Sequence, residues 1–188
     1  MIWKIIRKIL YWLFIVFALY FIIVVFYSNL FAPKLEYKKL ESYDYGVLVS
    51  LNNLPEFESR EQVKKQLEDV FDVHFYIYRE VESFSNKNHR GNTFLPLRMI
   101  TISKKKTEHI VWYAYVLAHE MAHLRYYNCN ERYTEFKVVQ VLYESGNKNL
   151  IKLAKWITFR QVLDERDYIG EYSCAYYCYN YICEKEIN

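Results

Sequence analysis

Between Ile9 and Tyr27 the chain carries no charged residue, and this run limits what the rest can be. About 20 apolar residues in a helix match the hydrocarbon thickness of a bilayer. Trp3, Tyr11, Trp12 and Tyr27 lie near the ends of the run, where amphipathic rings anchor a span at the interface. A cleaved leader fits less well. The run is long for a leader's apolar segment, and the small residue Ala32 is followed by Pro33 and preceded at two by Leu30. The 188 residues therefore divide into an anchor over 1–28, a juxtamembrane linker over 29–45 and one domain over 46–188, long enough for a single core.

The flanks set the orientation weakly. Lys4, Arg7 and Lys8 precede the run, and Lys34, Lys38 and Lys39 follow it among Glu36 and Glu41. The closer-packed basic group on the short N-terminal side favours an inside N-terminus, with the domain on the extracytoplasmic face. The net charge of +3 is spread over interspersed Lys and Glu. With no basic stripe, and Lys104-Lys105-Lys106 reading as a solvated turn, a nucleic-acid partner is not expected. The four cysteines, Cys129, Cys174, Cys178 and Cys183, lack the CxxC spacing of a zinc site. They read first as small core residues, with a disulfide as the alternative outside the cell.

Within the domain, residues 119–123 read His119-Glu120-Met121-Ala122-His123. The preceding segment, Thr107 to Ala118, has no Gly or Pro and is apolar nearly all round on a helical wheel, as a buried helix is. Two histidines four apart then share one face, a turn apart, and both imidazoles reach a single Zn2+. Glu120 is placed to take a proton from the water in the open fourth position. Histidine and glutamate rarely enter a buried helix unpaired, because an uncompensated buried charge is costly; a metal supplies the partner.

Downstream, Asn130 is a good N-cap for a helix running through about Tyr143, whose apolar side is marked by Val138, Val139, Val141 and Leu142. Glu131 and Glu135 fall in the middle of that side. A metal explains both: Glu131 as third ligand and Glu135 as acceptor for the second ring N–H of a ligating histidine. Glu135 itself and Cys129 are the alternative third ligands.

The segment Asn130-Glu131-Arg132-Tyr133-Thr134-Glu135 resembles the NExxSD segment of thermolysin-type gluzincins, with Thr134 for Ser, Glu135 for Asp and a shorter gap from the second histidine. His119 to Arg125, Tyr126-Tyr127, Glu131 and Thr134-Glu135 also resemble uncharacterised bacterial membrane proteins with HExxHLRGY and ExEAN, and the layout of ImmA/IrrE-type metallopeptidases. The likeness covers about residues 110–145. It implies an α+β, zincin-like domain with a small sheet before a buried HExxH helix and a helical C-terminal half. It also implies a zinc peptidase, acting on a protein or peptide substrate, with a tyrosine or histidine as oxyanion donor. Tyr133, Tyr168 and Tyr172 are the candidates. By the same resemblance the strand before the motif helix, Arg98–Ser103, would bind substrate backbone along a sheet edge. A non-catalytic, zinc-stabilised protein-binding domain is the alternative.

The remaining pattern predicts a short strand over Val47–Leu51 and an amphipathic helix over Glu58–Val70 capped near Ser59. Strands over Val73–Val81 and Phe94–Ser103 flank a polar loop that holds His89 and Arg90. Helices over about Leu150–Leu163 and Asp167–Glu184 follow, broken at Gly146 and Gly170. His74 and His109 read as surface or structural residues.

Overall fold

The computed structural model describes residues 2–30, 35, 44–86, 89–128, 130–167 and 174–187. It is a mixed α+β structure. Helix α1 (Ile2–Leu30) contains a 22-residue stretch, Trp3–Val24, long and apolar enough to cross a membrane. Of its described side chains only Val24 is buried.

Two short helices begin the domain. The apolar residues at Val47–Leu51 belong to α2 (Tyr45–Leu51), not to a strand. A run this short has no period long enough to separate the two states. Tertiary packing decides, with Leu48 and Leu51 buried and the helix lying against α6. Helix α3 (Arg60–Phe71) starts where expected: Ser59 accepts from the Gln62 amide at 3.1 Å. It stops at Asp72, whose φ of 52° is left-handed. That turn shortens the following strand to β1 (Ile77–Val81).

The expected strand over Phe94–Ser103 is broken. Residues Gly91–Phe94 form β2, Leu95–Leu97 a 3-10 turn, and Met99–Ser103 form β3. Pro96 and the left-handed Arg98 (φ 46°) turn the chain, so one apolar run becomes a hairpin. The sheet order is β1-β3-β2, with β1 parallel and β2 antiparallel to β3. β3 is thus central, so Arg98–Ser103 is not an edge strand, and the edge position next to the motif helix belongs to β2.

Helix α4 (Ile110–Tyr126) carries the HExxH sequence and is the hub, packing against α3, α5, β2 and β3. Tyr113, Ala114, Leu117, Ala118, Met121, Ala122 and Leu124 are all buried. Helices α5 (Glu131–Glu144), α6 (Lys148–Asp167) and α7 (Cys174–Ile187) pack on one another as the helical C-terminal half. Gly146 at φ 71° separates α5 from α6. Gly170 lies outside the described residues. Cys178 is buried and Cys183 partly buried, both as thiols.

Leu117→Ala removes a fully buried side chain at this hub. It should cost about 2–5 kcal/mol, read from urea unfolding of the full chain in detergent. A loss below about 1 kcal/mol would mean that α4 is not the centre of the core.

Candidate metal centre

The helical period brings His119 and His123 together on α4 with Nε2 atoms 3.0 Å apart. Helix α5 begins immediately across from them. Asn130 accepts from the Tyr133 amide at 3.1 Å, and this cap sets Glu131 in the first turn. Glu131 Oε2 stands 2.9 Å from His119 Nε2, and its Oε1 3.6 Å from His123 Nε2. The ligating atoms of His119, His123 and Glu131 lie within 4.8 Å of one another and form a group that can hold a metal ion.

The ring orientations fit that use. His123 Nδ1 faces the backbone carbonyl of Asn128, which can only accept, so Nδ1 carries the proton and Nε2 offers a lone pair. Thr134 Oγ1 is 3.3 Å from the same Nδ1. His119 Nδ1 stands 2.9 Å from Glu135 Oε1, near the carboxylate but off the direction of an ideal hydrogen bond. Glu135 is held in turn by Tyr115 Oη, donating at 2.6 Å, and by Gln161 Nε2 from α6 at 2.9 Å. Both Nε2 atoms face Glu131. In a tetrahedral site with metal–nitrogen bonds of about 2.0–2.1 Å, two ligating nitrogens stand roughly 3.3 Å apart, close to the spacing here.

The charge balance points the same way. Glu120, Glu131 and Glu135 converge on two imidazoles. Burial opposes charge on His119, but Glu135 and Glu131 outweigh it and raise its pKa well above the ordinary imidazole value. Burial also works against the Glu131 carboxylate, yet hydrogen bonds from His119 and His123 hold its pKa far below the usual carboxylate range. The proton recruited to His119 marks a place that favours a cation. The donor set, two nitrogens and a carboxylate oxygen, is one that suits zinc.

Glu120 is buried beside this group, facing a cleft of about 450 Å³ whose walls include β2, Tyr115, Val116 and the three candidate ligands. Burial raises its pKa, and His119, His123 and Thr93 pull it back. Thr93 Oγ1 lies 2.7 Å from Glu120 Oε2 and 3.1 Å from the Glu120 carbonyl oxygen, so β2 pins the carboxylate. This contact requires β2 to lie almost on α4. At Gly91 a Cβ would stand 2.5 Å from Glu120 Oε1 and 2.7 Å from Val116 Cγ1, so the position admits no side chain without displacement.

Thr93, Gly91, Tyr115, Gln161 and Asn128 escaped the sequence reading. Tyr115 alone had a signal, since it precedes His119 by one helical turn. His89 and Arg90 do line the cleft, with the Arg90 guanidinium 4.0 Å over the Trp112 ring. His74 is half exposed near Asp72, and His109 caps α4 by accepting from the Val111 amide. Tyr133 packs on Tyr126 and is not among the cleft-lining residues. Cys129, Tyr168 and Tyr172 lie outside the described residues.

Compared with protein families, with curated proteins and with solved structures, the chain shows no significant match.

Gly91→Ala should destabilise the fold by about 1–3 kcal/mol through overpacking, read as a lower thermal midpoint. An unchanged midpoint would mean that β2 does not approach α4 this closely.

Proposed function

We propose that the chain is a membrane-anchored zinc peptidase of gluzincin type, with its domain on the extracytoplasmic side. The observation that carries this reading is the convergence of His119, His123 and Glu131 beside the buried carboxylate of Glu120 in an open cleft. A structural zinc site is closed by four protein ligands, whereas a catalytic one keeps a position for water. Among the described residues, three ligands facing a cleft favour the catalytic alternative over a zinc-stabilised binding domain.

In this mechanism His119 and His123 offer Nε2, and Glu131 offers a carboxylate oxygen. Glu135 keeps the His119 ring oriented, and the Asn128 carbonyl does the same for His123. Bound zinc would supply Lewis-acid polarisation of the scissile carbonyl and make water more acidic. Glu120 takes the proton of the attacking water and delivers it to the leaving amine. Thr93 holds the carboxylate in place during both transfers. The edge of β2 supplies backbone groups along which an extended peptide would lie.

Glu120→Gln keeps size and hydrogen bonding but removes the base. It should lower peptidase activity by roughly 10²–10⁴-fold while metal content and thermal midpoint stay near wild type. A fully active Glu120→Gln enzyme would refute the base assignment. Thr93→Val removes a hydrogen bond that favours the charged carboxylate, so the Glu120 pKa rises further. The acidic limb of the kcat/KM profile should then move to higher pH, with Thr93→Ser restoring it. An acidic limb that does not move in Thr93→Val would count against Thr93 as the residue that positions the base.

A further inference from the structure

The outer face of the small sheet ends in apolar side chains that the fold leaves uncovered. In the sheet register Ile77, Met99 and Phe94 form one row across β1, β3 and β2. Side chains alternate along a strand, so this row points away from the face on which Thr93 and Ile100 meet α4. Ile77 is 53% exposed. Beside the row, Phe75 is 87% exposed and Leu97, in the turn that closes the hairpin, 45% exposed. These residues are held in place. Arg98 Nε donates to the Phe75 carbonyl at 2.8 Å, and the Ile77 amide donates to the Arg98 carbonyl at 2.9 Å. An exposed group of large apolar residues on a rigid frame marks an interaction site.

What covers it follows from α1. Phe21 packs against Phe94 with ring centroids 6.0 Å apart, Val24 is buried, and this end of α1 lies along the Leu95–Leu97 turn. Phe21 is not at the end of the apolar run. It stands six residues before Tyr27, about 9 Å along the helix axis. Where the run lies in hydrocarbon, Phe94 and its turn share that depth, and the uncovered apolar row continues from the same contact.

We propose that the sheet end formed by Phe75, Ile77, Phe94 and Leu97 is a lipid-binding surface, immersed in the bilayer face beside α1. The domain then rests on the membrane rather than hanging from a linker. β2 is the link to the metal centre. From Phe94 to Gly91 is three strand steps, about 10 Å, so the cleft opens close to the lipid surface. The proposal rests on α1 lying in a bilayer and is independent of the peptidase chemistry.

The test uses the full chain reconstituted in phosphatidylcholine vesicles, with the photo-crosslinking residue p-benzoylphenylalanine placed singly at Phe75, Leu97, Phe14 and Glu82. Phe14 is exposed within the apolar run, and Glu82 is exposed just beyond the opposite end of the sheet. All four positions lie at the surface, so the substitutions leave the core intact. Lipid adducts, identified by mass, are expected at Phe14, Phe75 and Leu97 and not at Glu82. Adducts at Phe14 without any at Phe75 and Leu97 would overturn the lipid surface while leaving the span intact. Crosslinks from Phe75 to a second copy of the chain would replace lipid with a dimer partner. Equal labelling at Glu82 would show unspecific contact and overturn the proposal as well. No adduct at Phe14 would remove the span, and the proposal with it.

Discussion

Two imidazoles and a carboxylate are carried into the interior on α4, and everything around them compensates that placement. Neither histidine nor glutamate enters a buried helix cheaply, and α4 is covered by α3, the sheet and the C-terminal helices. The Asn128 carbonyl accepts from His123 Nδ1–H, Glu135 faces His119, and Thr93 donates to Glu120. What these contacts leave over is a pair of Nε2 atoms and the Glu131 carboxylate, aimed at one point. A cation would complete the set, and the fold around that point is the frame that holds the donors apart and oriented.

Much of that centre was legible because it depends on helical periodicity. His119 and His123 share a face by spacing, and the Asn130 cap fixes the start of α5, so Glu131 and Glu135 could be aimed at α4 from sequence. The wall opposite was not legible. Gly91 and Thr93 sit where a polar loop passes into β2, with no period to mark them, and Gln161 arrives from α6 by tertiary packing alone. The strand expected over Phe94–Ser103 failed for a local reason: Pro96 and the left-handed Arg98 fold one apolar run back on itself. Which strand lies at the sheet edge follows from strand order rather than from any residue pattern. The strand expected over Val47–Leu51 became α2 because packing against α6 overrides a run too short to carry a period.

The same hairpin joins the two halves of the account. Its inner side fixes Glu120 through Thr93, and its outer side receives Phe21 through Phe94, one residue further on. The four residues of β2 therefore touch both α1 and the carboxylate beside the candidate metal ligands.

The measurement that bears most directly on the central claim is the metal content of the full chain, purified in detergent and analysed by mass spectrometry beside His123→Ala. The account predicts close to one zinc per chain in the wild type and near none in the variant, with both proteins folded. A folded wild-type protein that takes up no zinc even when zinc is supplied, or a His123→Ala protein that retains it fully, would contradict the assignment of His119, His123 and Glu131 as the ligands.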